Sequence, residues 1–215
     1  KIDLKKSRAS VQGFGNVGSY SAHFLHLDGC SVNAIADVHG TYRSDKGLDI
    51  PAAMKYAKEN RGLKDFEKMS GCQFIPDPNA ALVEPCDILV PAALEEVITT
   101  EVARKISAKI VAEGANGPTK GGADAILNEK GVFVIPDILC NSGGVTVSYL
   151  EWVQNRIGYY WEEERVNADL KRFMTTAFQE VLKISLEYKV DMRVAAFMLG
   201  IQRVTRAAEI RGLYA

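Results

Sequence analysis

No apolar run in this chain approaches the ~20 residues needed to cross a bilayer. The start, Lys1-Ile2-Asp3-Leu4-Lys5-Lys6, lacks the apolar core of a signal peptide. No membrane partner is therefore expected, and a cytoplasmic location is. Charge of one sign is missing too. Lys and Arg number 26 against 27 Asp and Glu, the net charge is −1, and no basic block occurs. That leaves no electrostatic case for nucleic acid or an anionic surface. Cysteine is sparse: Cys30, Cys72, Cys86 and Cys140 lie far apart with no C-x-x-C pair. Disulfide scaffolds are denser than this, so free thiols in a reducing compartment are expected. Histidine is scarcer still. His23 and His26 fall three apart where a helix would put them side by side, but no further ligand lies near them in sequence. No metal site is expected. Internal repeats, low-complexity tracts and linkers are also lacking.

What is present is globular. Hydrophobic residues make up 47% and charged residues 25% of 215, enough for one large domain or a domain with a small appendage. Near the start stands Gly13-Phe14-Gly15-Asn16-Val17-Gly18, a complete G-x-G-x-x-G between a strand-like run and a helical pattern. In that setting Gly13 permits a tight strand-to-helix turn. Gly15 lets the backbone approach a pyrophosphate, and Gly18 lets the helix pack closely on the strand. Glycine turns without a ligand are common, so context decides. Ser31–Ala36 reads as a second strand, and Asp37 follows its end, where an acid can accept hydrogen bonds from the adenosine ribose. Dinucleotide binding is the expectation.

Along the chain, short β-rich runs alternate with helical patterns. Pro51–Asn60 reads as a helix with proline near its start. Strand-like runs 87–91, 109–113 and 132–136 are continuous and apolar, and Asp77–Val83, Thr99–Lys105 and Ala123–Lys130 read as crossover helices. Continuous apolar strands separated by helices indicate a parallel sheet buried on both faces. From Asn141 onward the pattern is purely helical. Val166, Leu170, Phe173, Met174, Ala177, Phe178, Val181 and Leu182 form one apolar stripe. Asp191 reads as an N-cap before a second stripe of Val194, Phe197, Met198, Ile201, Val204 and Ala208. Both stripes are read as ordinary packing surfaces rather than grooves. The expected fold is α/β: a Rossmann-like, doubly wound, mostly parallel sheet with helices on both faces over 1–160. A helical extension, 161–215, is expected to pack on it as part of a single compact unit.

Ligands of open α/β sheets sit outside the carboxyl ends of the strands. There the sequence places Pro91-Ala92-Ala93, small residues that leave room for a ring or a ribose. It also places Glu113-Gly114-Ala115-Asn116-Gly117-Pro118-Thr119 and Asn141-Ser142-Gly143-Gly144-Val145 there. Asn116 and Asn141 each carry an amide that both donates and accepts, which suits a nicotinamide carboxamide. Taken singly, each is as readily a turn former or helix cap. Together at neighbouring strand ends they favour the cofactor.

These stretches, with the continuation Thr146-Val147-Ser148-Tyr149-Leu150-Glu151-Trp152, resemble the cofactor-binding half of the glutamate/leucine/phenylalanine/valine dehydrogenase family, and its glutamate dehydrogenases in particular. The likeness runs in order through essentially the whole chain to Asp191-Met192-Arg193. It implies oxidative deamination of L-glutamate to 2-oxoglutarate and ammonia with NAD or NADP, and the reverse. By resemblance, Gly13, Phe14, Gly15, Asn16, Val17 and Gly18 serve the pyrophosphate, and Asp37 with Val38 the adenosine ribose. Ala92, Ala93, Asn116 and Asn141 surround the nicotinamide ribose and ring, while Ser148 and Val145 face the substrate. A serine that hydrogen-bonds the substrate's side-chain carboxylate favours glutamate over aliphatic analogues, whose binding would leave it unpaired.

Lys120-Gly121-Gly122 departs from the family's usual Thr-Pro-Glu, and Ser142 from a common alanine. The resemblance places the catalytic lysine and the aspartate proton carrier in an N-terminal domain, so no catalytic residue is expected in this chain. The parent enzyme is expected to be a homo-oligomer, a hexamer by resemblance, with a monomer left open for this half. Asp37 should repel a 2′-phosphate, although His39, Arg43 and Lys46 stand near enough to compensate. NAD is expected and NADP stays open. A free-standing NAD(H) sensor or scaffold, or the same half of a leucine- or phenylalanine-type enzyme, are the alternatives. Ser148 argues against both.

Overall fold

The structure is a computed structural model that describes residues 2–212. Lys1 and 213–215, which fall in the expected segments 1–160 and 161–215, lie outside the described residues. The chain forms two compact units, Lys1–Val134 and Ile135–Ala215. The expected boundary near 160 falls inside the second.

In the first unit the elements are β1 (Arg8–Gln12), α1 (Asn16–Leu27), β2 (Ser31–Asp37), β3 (Gly40–Arg43), α2 (Ile50–Asn60), α3 (Phe66–Ser70) and β4 (Gln73–Ile75). They continue with α4 (Ala80–Val83), β5 (Ile88–Pro91), α5 (Thr100–Lys105), β6 (Ile110–Ala112), α6 (Ala123–Glu129) and β7 (Phe133–Ile135). The seven strands make one sheet in the order β4-β3-β2-β1-β5-β6-β7. Strands β2, β1, β5 and β6 run parallel. The expected Rossmann-like, mostly parallel sheet is what the chain forms.

Burial on both faces explains the continuous apolar strands. In β5, Ile88 and Val90 join one apolar cluster with Ala9, Val11 and Ile35. Leu89, between them, joins another with Val111, Leu127 and Val134. At the amino ends, Asp87 takes a hydrogen bond from the Arg8 amide at 3.0 Å and one from Lys109 Nζ at 2.7 Å. Those two donors, Lys109 first, hold the Asp87 carboxyl below its ordinary range.

Two strands departed from expectation by not being foreseen at all. β3 runs antiparallel to β2 and to β4, so the sheet gains a hairpin edge beyond β2. Its anchor is Tyr42, fully buried against Phe66 at a ring separation of 6.0 Å. The expected helix Asp77–Val83 is shortened to Ala80–Val83. Asp77 spends its carboxylate on the Asn79 amide at 2.8 Å, a turn that competes with helix and postpones its start. Helix α2 begins beside Pro51 as expected, with Asp49 accepting from the Ala52 amide at 3.0 Å.

The second unit holds α7 (Asp137–Cys140), α8 (Gly143–Ile157), α9 (Glu163–Tyr188) and α10 (Met192–Arg211). Gln154 closes the α8–α9 turn, its side-chain oxygen accepting from the Trp161 amide at 2.6 Å. Asp191 caps α10 as expected, accepting from the Val194 amide at 2.8 Å. Arg193 reaches Asp137 at 3.2 Å, tying α10 to α7. The stripe of α9 packs in part, with Val181 buried near its carboxyl end, most of the rest half-buried and Phe173 exposed. The stripe of α10 does not. Met192, Ala195 and Ala196 are the buried residues of that helix, whereas Val194, Phe197, Ile201 and Val204 are between 43% and 72% exposed. Helix α10 is apolar on two faces, and the buried one is that of Met192, Ala195 and Ala196.

Candidate functional site

The carboxyl ends of the central strands lie side by side. Gln12 pairs with Ala36 on β2 and with Pro91 on β5, which sets Gly13 between Asp37 and Ala92. The Gly114 and Ala115 amides both donate to the Pro91 carbonyl, at 3.0 and 2.9 Å, bringing the end of β6 into the same row. The order of the sheet reverses between β1 and β5, the place where open α/β sheets bind ligands.

Gly13 has φ +96°, and a Cβ on it would lie 2.7 Å from the Ala92 carbonyl oxygen. A Cβ on Gly18 would collide with the carbonyl oxygen of Gly13. Both glycines are thus demanded by the chain's own packing. Gly15 is different: a Cβ there would meet nothing within 4 Å. Gly15 also begins α1 as its N-cap, without a side-chain acceptor and with no acid in the first turn. The space beside Gly15 at the start of the helix is thus open, which fits an anionic group such as a pyrophosphate. The ring of Phe14 is buried in the apolar cluster. Asn16 and Val17 are exposed on the first turn of α1.

Asp37 sits at the end of β2 with its carboxylate fixed on both sides. Oδ1 accepts from the His39 amide at 2.9 Å and Oδ2 from the Leu63 amide at 2.7 Å. Val38 is exposed at the β2–β3 turn.

The loops after β5 and β6 are zipped together. The Glu96 amide donates to the Gly117 carbonyl and the Ile98 amide to the Pro118 carbonyl, both at 2.8 Å, and the Lys120 amide returns to Ile98 at 3.0 Å. Asn116 is exposed between these ties, and Ala93 is exposed beside Ala92. Within the loop, Thr119 Oγ1 donates to the fully buried Glu113 carboxylate at 2.5 Å. Lys120 is exposed and paired with Glu96 at 3.3 Å.

Asn141, Val145 and Ser148 belong to the second unit. Asn141 ends α7, its amide bonded to the Asp137 carbonyl at 3.0 Å. Val145 and Ser148 lie on an exposed face of α8 with Tyr149 and Trp152. A cavity of about 540 Å³ also opens in this unit, but its Glu180 and Arg203 charges already neutralise each other. Burial pushes the Cys86 thiol up to about 12 and raises those of Cys30 and Cys72, so these three are not thiolate nucleophiles at neutral pH. No group of three or more His, Cys, Asp or Glu able to hold a metal occurs among the described residues, and none of their helices is long and apolar enough to cross a membrane.

Two participants were not foreseen from sequence. One is the Leu63 amide on Asp37, which no residue type announces. The other is Glu113 with Thr119, whose spacing gives no periodic signal.

Residues 1–212 match the family model for Glutamate/Leucine/Phenylalanine/Valine dehydrogenase. The catabolic NAD-specific glutamate dehydrogenase of Bacillus subtilis is 45% identical over 212 residues, covering 98% of this chain and 49% of that protein. A glutamate dehydrogenase of Thermotoga maritima is 44% identical, covering 99% and 50%. Among solved structures, glutamate dehydrogenase from Peptoniphilus asaccharolyticus has a TM-score of 0.83 at 38% identity, over 99% of this chain and 49% of that one. A Leu-bound hetero-hexameric glutamate dehydrogenase from Thermus thermophilus reaches 0.91 at 29%, over 100% and 50%. The chain spans about half the length of the curated relatives it matches.

Proposed function

The chain belongs to the glutamate/leucine/phenylalanine/valine dehydrogenase family, and from that membership we propose that it is the NAD(H)-binding half of a dehydrogenase interconverting L-glutamate with 2-oxoglutarate and ammonia. The observation that carries this reading is the row Asp37, Gly13, Ala92 and Gly114 at the strand ends, with Gly15 open at the start of α1. NAD+ bound there supplies the hydride acceptor.

The chain's own residues bind and orient. Amides of α1 donate to the pyrophosphate. Asp37 keeps lone pairs beyond those used by His39 and Leu63, and they accept the adenosine ribose hydroxyls. Its negative charge disfavours a 2′-phosphate, so NAD is preferred over NADP, in line with the name of the Bacillus subtilis relative. Ala92 and Ala93 leave space for the second ribose, and the side-chain amide of Asn116 holds the nicotinamide carboxamide. Ser148 donates to the substrate's side-chain carboxylate and Val145 lines its path. The base and the α-carboxylate grip come from a further domain of a longer, oligomeric protein.

The test is an NADH fluorescence titration of the purified chain beside an assay of NADH formation from L-glutamate. Binding without turnover is expected, because positioning of the substrate carbon contributes about 7–11 kcal/mol of barrier lowering that this half cannot provide alone. Absence of NADH binding would overturn the cofactor assignment. Steady turnover would overturn the half-enzyme reading.

A further inference from the structure

We infer that Glu113 and Thr119 form a latch that positions Asn116 against the nicotinamide end of the cofactor, an inference that rests on the cofactor reading above. Glu113 directly follows β6 and is 0% exposed, yet it is a carboxylate. Two residues earlier Val111 is buried among Leu89, Ile98 and Leu127, so the strand's alternation turns the Glu113 side chain toward this apolar side. A carboxylate there carries a large desolvation cost unless strong donors meet it. The Thr119 hydroxyl is one such donor, at a distance characteristic of charge-assisted O–H···O bonds.

The span between them is the loop that carries Asn116. Its outer side is bonded, backbone to backbone, to Pro91, Glu96 and Ile98. Its inner side is closed across its root by Glu113 and Thr119. Thr119 also pairs with Ile98 in a parallel bridge, so the hydroxyl that satisfies Glu113 sits on the backbone that anchors the loop's far end. Asn116 stands exposed at the tip. Shape at the root thus sets reach at the tip. A small misplacement there is costly, because oriented polar contacts decay over less than an ångström. Glu113 and Thr119 are positioning residues: neither needs to touch the cofactor.

The adenosine half of the cofactor offers an internal control, since Asp37 and the α1 amides lie at other strand ends. ADP-ribose and NADH are titrated against the purified 215-residue chain, with thermal midpoints recorded. The wild type should bind NADH more tightly than ADP-ribose. Thr119→Val, which deletes the donor at constant shape, should weaken NADH by about tenfold, a loss of the size expected for a hydrogen bond to a charged group. ADP-ribose should stay within about twofold of wild type, and Thr119→Ser should restore NADH binding because the hydroxyl is kept. Glu113→Gln, which retains an acceptor, should fall between, and serves in its place if Thr119→Val does not fold. Parallel losses of both ligands, or no loss of either, would overturn the latch. Equal affinity of the wild type for the two ligands would overturn the nicotinamide-side reading itself. That outcome is visible before any substitution is made, so the two failures are distinguishable.

Discussion

Gly13 and Ala92 approach so closely that a Cβ on the glycine would lie 2.7 Å from the alanine's carbonyl oxygen. The contact joins the turn after β1 to the loop after β5 at the point where the sheet order reverses. Gly13→Ala therefore meets two penalties at once, the clash and a backbone φ of +96°. Strain of this kind costs about 1–3 kcal/mol. The variant should unfold at a lower temperature and bind NADH more weakly. An unchanged thermal midpoint with unchanged titration would mean that the two loops part freely.

Asp37 offers a cleaner probe of cofactor choice. Asp37→Ser removes the charge that opposes a 2′-phosphate, so NADH should weaken and any preference over NADPH should narrow or invert. The loss for NADH should be about tenfold, the scale of a hydrogen bond to a charged acceptor. Because the carboxylate also holds the amides of His39 and Leu63, the variant should lose some stability as well. Calorimetric titration with both cofactors checks it, and unchanged affinities for both would remove Asp37 from the site.

At the opposite end of the sheet, Asp87 makes stability depend on acid. Its carboxyl lies below the ordinary range because Lys109 and the Arg8 amide favour the charged form. A depressed carboxyl contributes stability in full above its unfolded value of about 3.9, and that contribution vanishes as pH falls through the lower folded value. Asp87→Asn should thus cost about 1–3 kcal/mol at pH 7. The gap between variant and wild type should close as the pH is lowered below about 4. Urea unfolding across that range measures it, and a gap independent of pH would place the effect in packing instead.

Strands β5, β6 and β7 are legible because Ile88-Leu89-Val90, Ile110-Val111-Ala112 and Phe133-Val134-Ile135 are apolar without a break, and few other structures bury such runs. The hairpin edge carries no such signal. β3 and β4 are short, and Gly40-Thr41-Tyr42-Arg43 mixes a glycine and an arginine around its single large anchor. On α10 the periodicity was correct but the face was not, since a helix apolar on two sides carries no mark of which one its neighbour will choose. Glycines and Asp37 could be picked out by residue type. The amide of Leu63 could not, because backbone donors have no signature, and a glutamate at a strand end reads as a solvated residue until its burial is known.

The zipper between the loops after β5 and β6 is made of backbone groups, from Glu96 to Gly117 and from Ile98 to Pro118. Side chains on the β5 side of it, Leu94 and Glu95, are exposed and take no part in those bonds. Substitution at Leu94 or Glu95 therefore leaves the tie between the two loops in place, so the rim can change its side chains one at a time without loosening the backbone beneath it.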